Sequence, residues 1–143
     1  DFDGDGVRDV WRSTPDVLAS IANYLARFHW QFGAPRVVEL GKELSDTQLV
    51  AAFHQGRKGR VSWRQVVEAQ GRPLPEPPGG RELAIVGLEV APDRGGGLRY
   101  LAAYPNFQAI TEWNHSNRYA MVVLELAEAY IGNPNKQTAQ HLP

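Results

Sequence analysis

The chain alternates between helical and extended hydrophobic patterns, and each change of period marks an element. Val17, Leu18, Ile21, Ala22, Leu25 and Phe28 recur at three- and four-residue spacing, which puts them on one face of a helix. Ser13 or Thr14 can cap its start, Pro15 suits its first turn, and Asp16 suits the positive end of the helix dipole. Gly33 and Pro35 are expected to end it, and residues 36–40 read as a short extended run. Two short helices follow with matching starts. Ser45-x-x-Gln48 with Leu44 and Leu49, and Ser62-x-x-Gln65 with Val61 and Val66, each have the form of a capping box with a hydrophobic staple. Gly56 and Gly71 stand where C-terminal caps belong.

The period then changes. Residues 83–90 and 98–104 are rich in aliphatic and aromatic side chains and read as two strands, joined by the Gly-rich turn 91–97. Residues 72–80, RPLPEPPGG, precede them as a connector, because four prolines remove backbone donors. Residues 105–113 predict a short helix. Asn114 or Ser116 can cap a longer one through Ile131, with Tyr119, Ala120, Val123, Leu124, Ala127, Tyr130 and Ile131 inward. Gly132 and Pro134 stop it, and residues 133–143 are polar and expected to be loose. Helices mixed with a local hairpin argue for an α+β fold over a parallel α/β sheet.

Composition narrows the classes. The length of 143 residues fits one domain, or one domain with a small insertion. Fifteen basic residues against sixteen acidic ones give a net charge of −1, which offers no basic surface for nucleic acid or an anionic membrane. There is no cysteine, so neither disulfides nor thiolate metal sites can form. No apolar run approaches the roughly 20 residues of a membrane span. The basic turn at residues 55–60, QGRKGR, reads as a solvated loop. The chain has no initiator Met and opens inside a cluster of candidate ligands, so further sequence is expected upstream.

That opening, DFDGDGVRDVWRSTPD, carries the clearest candidate chemistry. Asp1, Asp3 and Asp5 alternate, with Gly6 next, as in the start of an EF-hand calcium loop. The twelfth position, normally a bidentate Glu, is Arg12. The expected set is therefore a lengthened loop: Asp1, Asp3 and Asp5 by side chain, Val7 by its carbonyl, and Asp16 closing it, with Asp9 acting through a water. Oxygen-only ligands favour structural Ca2+ over zinc. The plainer alternative is an Asp/Gly turn that binds no ion.

The second candidate is YPNFQAITEWNHSNRYAM, residues 104–121. Polar Asn114, His115, Ser116 and Asn117 stand among Tyr104, Phe107, Trp113 and Tyr119. Aromatic faces beside amides suit a sugar, whose apolar ring faces stack while its hydroxyl and acetamido groups hydrogen-bond. His115 is expected to cap a turn, and Ser116 has no triad partner. PNF, IT, NHS and YAM in this order, with DFDGDG and SIANYL upstream, resemble the membrane-bound lytic transglycosylase B family of bacterial peptidoglycan enzymes. The resemblance spans most of residues 1–131. It is strong at both ends and limited to layout over residues 36–101.

The resemblance implies a lysozyme-like helical core carrying the calcium loop, with a small β-containing subdomain inserted. The corresponding division is 1–35 for loop and core helix, 36–103 for the insertion, 104–132 for core helices with the cleft segment, and 133–143 for the tail. It implies cleavage of the MurNAc–GlcNAc bond without water, giving a 1,6-anhydromuramoyl product after protonation of the leaving oxygen by a Glu. Tyr24, Asn114 and Tyr119 match the family's substrate-binding positions, and Trp113 stands where a tyrosine is usual. The catalytic Glu is expected upstream; Glu39, Glu43 and Glu112 are weak substitutes. The expected partners are glycan strands and the upstream part of the same protein, in the periplasm or at the outer membrane. The reading from a different class is a non-catalytic, calcium-stabilised module that binds glycan or protein.

Overall fold

Three antiparallel strands in the order β1-β3-β2 organise the molecule: β1 (Val37–Gly41), β2 (Ala84–Glu89) and β3 (Leu98–Ala103). The computed structural model describes residues 1–132, so the tail 133–143 lies outside the described residues. The helices are α1 (Thr14–Arg27), α2 (Thr47–His54), α3 (Trp63–Gln70), α4 (Pro105–Trp113) and α5 (Asn117–Ile131).

Strand alternation divides the core in two. Ile85 and Ala102 face one side, where Leu49 and Ala52 of α2 and Val66 of α3 cover them. Ala84, Val86, Leu101 and Ala103 face the other, against Phe107 and Ile110 of α4 and Ala120 and Leu124 of α5. Cover on both faces explains why β2 and the end of β3 read as continuous apolar runs instead of alternating ones. The proline-rich connector is tied to the first side. The Tyr104 hydroxyl donates to the Pro75 carbonyl at 2.7 Å and Trp63 Nε1 donates to the Leu74 carbonyl at 3.2 Å. Burial pushes the Tyr104 phenol above its ordinary pKa, opposed by the Arg72 charge.

Several boundaries differ from the sequence expectation. Helix α1 ends at Arg27, before Gly33 and Pro35. His29 adopts φ +68°, its N–H donates to the Ala26 carbonyl, and the Trp30 N–H donates to the Leu25 carbonyl. This is a Schellman motif with a non-glycine residue in the left-handed position. Leu25 and Trp30 then each pack against the second core. Helix α2 is capped by Asp46, whose carboxylate accepts from the N–H groups of Gln48 and Leu49 at 2.9 and 3.0 Å; the Ser45 box does not form. An acidic cap also complements the helix dipole, and such a cap contributes about 1 kcal/mol. Gln48 instead meets the Gln65 side chain. The second box forms as expected, with Ser62 and Gln65 bonding reciprocally, and Val61 and Val66 are both buried.

The long helices are less covered than their stripes suggest. In α5 only Ala120 and Leu124 are buried, while Tyr119, Tyr130 and Ile131 are exposed, contrary to the inward placement expected for them. In α1 the buried residue is Asp16, and Leu18, Ile21 and Phe28 are exposed. The second core takes its buried α5 residues, Ala120 and Leu124, from the first half of that helix and meets α1 at Leu25. No helix of the described residues is long and apolar enough to cross a membrane.

Candidate functional site

The acidic loop and the turn between α4 and α5 meet through α1. In the loop, the carboxylate oxygens of exposed Asp1, Asp3 and Asp5 lie within 4.8 Å of one another. Gly6, at φ +87°, makes the turn that brings them together. Each carboxylate also accepts a bond from the loop itself. Gly6 N–H donates to Asp1 at 3.2 Å, Asp5 N–H to Asp3 at 3.4 Å, and Val7 N–H to Asp5 at 2.8 Å. Ser13 Oγ donates to Asp3 Oδ2, joining the loop to the cap of α1. Asp9 is turned onto the N–H groups of Trp11 and Arg12, at 2.7 and 2.9 Å.

Asp16 has a different task from the exposed carboxylates. It is 3% exposed, and its two oxygens accept from the N–H groups of Phe2 and Asp9. These two bonds, Asp9 first, hold its carboxyl below the ordinary carboxylate pKa. The contribution to stability is therefore present above the unfolded value of about 3.9 and is lost as pH falls through the lower folded value. Asp16 stands outside the three-carboxylate group and fixes the loop backbone to α1. The donor set is all oxygen and densely anionic, which fits a hard cation such as Ca2+.

On the other end of α1, Tyr24 stacks edge-on against Trp113, with ring centroids 4.9 Å apart, and lies tilted on Phe28 at 4.8 Å. This aromatic contact joins α1 to the C-terminus of α4. Asn114 follows in extended conformation as the last cap of α4, exposed, with its side-chain amide unpaired among the described residues. Ser116, not Asn114, caps α5, accepting from the Tyr119 N–H at 3.1 Å. Tyr119 is exposed on the first turn of α5 and makes no ring contact with Tyr24 or Trp113 among the described residues. The His115 Nδ1 atom faces the Thr111 carbonyl at 2.9 Å, so that nitrogen carries the proton and the ring caps α4. Glu112 is paired with Arg57 at 3.2 Å and Glu39 with Arg99 at 2.6 Å.

Sequence reasoning gave Asn106 no role of its own. It is 2% exposed; its Oδ1 accepts from the Gln31 N–H at 2.8 Å, and its Nδ2 donates to the Gln31 carbonyl at 2.7 Å and the Ala34 carbonyl at 3.4 Å. It thereby fixes the segment after α1 onto α4. The available signal was an amide between Pro105 and Phe107 in a helix otherwise dense with core residues.

A small antiparallel sheet carries helices on both of its faces, with an acidic loop at one end of α1 and an aromatic–amide turn at the other, and the family match places this arrangement in the transglycosylase class. Residues 1–128 match the family described as the Transglycosylase SLT domain, and the chain belongs to that family. It is 30% identical over 129 residues to the membrane-bound lytic murein transglycosylase B of Escherichia coli (strain K12), a match covering 90% of this chain and 33% of that protein. The chain thus spans about a third of that relative's length. Among solved structures, SltB3 from Pseudomonas aeruginosa in complex with NAG-NAM-pentapeptide superimposes with TM-score 0.65 at 32% identity, covering 93% of this chain and 34% of that one. The Escherichia coli lytic transglycosylase Slt35 in complex with calcium gives TM-score 0.62 at 32% identity, over 90% of this chain and 38% of that one. These neighbours have the lysozyme-like fold, and the present chain is a mixture of helices and a small sheet of that kind.

Proposed function

We propose that this chain is the C-terminal part of a peptidoglycan lytic transglycosylase that cleaves the MurNAc–GlcNAc bond and leaves a 1,6-anhydromuramoyl end. The observation that carries the reading is the Asn114 amide, unpaired among the described residues, beside Trp113, with Trp113 packed on Tyr24 of α1. Membership of the family supports it, as does the relative bound to NAG-NAM-pentapeptide, a glycan fragment bearing a peptide. Tyr24, Trp113, Asn114 and Tyr119 face the glycan. The Asn114 amide bonds an N-acetyl group, and the aromatic rings stack on sugar faces. The general acid is a Glu upstream of this chain; Glu112 and Glu39 are spent on ion pairs. The chain divides into 1–35, an inserted 36–103, and 104–132. The insertion leaves and returns at one point, where the Tyr104 N–H meets the Arg36 carbonyl at 3.0 Å. The protein acts on glycan strands in the periplasm or at the outer membrane, in keeping with its membrane-bound relative.

Asp1, Asp3, Asp5 and the Val7 carbonyl hold one Ca2+, with Asp16, expected from spacing to close the loop as a ligand, instead fixing the loop backbone behind them; the oxygen-only cluster and the calcium-bound neighbour support the reading. When bound, the ion neutralises the crowded carboxylates and stiffens the start of α1. Calorimetric titration with calcium after chelation is expected to give saturable heat and a higher melting temperature. Neither signal should remain in an Asp3→Asn, Asp5→Asn variant. A wild-type protein that shows neither removes calcium from this reading.

For the glycan site, Asn114→Ala in the complete protein should lower turnover on purified sacculi at least about tenfold, equivalent to about 1.4 kcal/mol of barrier. Release of anhydro-muropeptides is followed by chromatography, and the melting temperature should hold. Full activity with a large fall in melting temperature would make Asn114 a structural cap.

A further inference from the structure

The basic turn that reads as a solvated loop is folded against a recess. That recess, of about 250 Å³, lies between the α2–β2 side and the α4–α5 side of the molecule. Its lining includes apolar Phe53, Ile85 and Phe107, together with Arg57, Arg60 and Asn117. Glu112 and Asn117, which also line it, bracket the glycan-facing turn from Trp113 to Ser116, so recess and turn are continuous along the chain.

Two guanidinium groups are held there. Arg60 Nη1 donates to the carbonyls of Arg57 and Gly59, at 2.7 and 2.8 Å. Among the described residues its Nε and Nη2 edge has no partner and no carboxylate forms an ion pair with it. Arg57 is oriented by Glu112 at 3.2 Å. That one contact engages a single Arg57 nitrogen and leaves the other donors of the fork open. An unanchored surface arginine gains little from an ion pair, because ordering both side chains offsets the attraction. Here the loop has already ordered Arg60, so less entropy is lost when a planar carboxylate docks on its fork. An apolar floor under two such groups suits a short peptide bearing carboxylates. Neutral sugar rings have no need of guanidinium partners.

We propose that Arg57 and Arg60 form a carboxylate-binding subsite for the peptide stem carried by the glycan. This inference rests on the glycan-binding reading above and extends that site from the sugar to its appendage. It assigns to the inserted segment a part in substrate selection.

The test compares two probes on the complete protein by calorimetry: the disaccharide GlcNAc–MurNAc bearing a pentapeptide, and the same disaccharide with its lactyl carboxyl capped as a methylamide in place of the peptide. The double variant Arg57→Gln, Arg60→Gln is expected to weaken the peptide-bearing probe about tenfold and leave the peptide-free probe unchanged. Arg57→Gln alone keeps both backbone bonds of Arg60 and should give part of that loss, so a misfolded double variant does not end the test. Equal weakening of both probes, or no weakening of either by any variant, overturns the subsite while the glycan reading stands. A wild-type protein that binds neither probe removes the glycan reading and the subsite together.

Discussion

Asn106→Ala is expected to destabilise the chain by about 3 kcal/mol, a fall in melting temperature of roughly 10 °C for a domain of this size. The side chain makes three hydrogen bonds to the segment after α1 and is 2% exposed. Truncation leaves a buried gap and strands the Gln31 N–H and the Ala34 carbonyl, while the Gln31 carbonyl keeps only its bond from the Ala34 N–H. Asn106→Asp isolates the cause. Its carboxylate still accepts from the Gln31 N–H but points like charge at the Gln31 and Ala34 carbonyl oxygens, where Nδ2 donated. The aspartate variant should therefore be at least as unstable at neutral pH and recover in acid, when the carboxyl regains a proton to donate. Thermal melting across pH decides it; an aspartate variant as stable as wild type at pH 7 would mean that these bonds carry no net energy.

Gly59→Ala should cost a similar amount, about 3 kcal/mol, through overpacking. A Cβ at this position would lie 1.9 Å from the Ala52 carbonyl oxygen and 2.8 Å from its carbon, so backbone must move. The conformation of Gly59, φ −64°, suits any residue, and the requirement is for space alone. The Gly59 carbonyl also receives Arg60, so displacement of the turn should weaken binding of the peptide-bearing probe beyond what the fall in stability accounts for. Chemical denaturation and the two-probe titration measure the two effects separately. A Gly59→Ala protein that melts with wild type would show that α2 and the turn slide apart freely.

Local chemistry was legible where a residue answers to its neighbours alone. The Ser62–Gln65 box, the left-handed Gly71 and the two strands of the hairpin follow from spacing and turn residues. Errors came where two residues compete for one role. Ser45 has the right spacing to Gln48, yet Asp46 supplies the cap, because a carboxylate one position later reaches two N–H groups and carries the charge that the helix dipole favours. The end of α1 was misplaced because His29 takes a left-handed conformation usually left to glycine, within the hydrogen bonds His29 N–H to Ala26 carbonyl and Trp30 N–H to Leu25 carbonyl. In the candidate site, the acidic spacing was plain, but the split between the exposed carboxylates and buried Asp16 was not. Burial depends on how the loop folds back on the helix, which sequence spacing does not encode. Asn106 and the recess beside the basic turn were invisible for the same reason: their partners are distant in sequence.

That distance sets the order of assembly. Val37 and Ala84 both pair with Ala103, one across nearly half of the chain and the other across a single hairpin. Asn106 reaches Gln31 over 75 positions. The β2–β3 hairpin needs only local closure, whereas β1 and α1 must wait for the rest of the chain. During synthesis at roughly 5–20 residues per second, β1 leaves the ribosome several seconds before its partner strand exists. The charge of Glu39 disfavours pairing of foreign strands with β1 in that interval. The aromatic contact between Tyr24 and Trp113 therefore closes late, after α4 has been made.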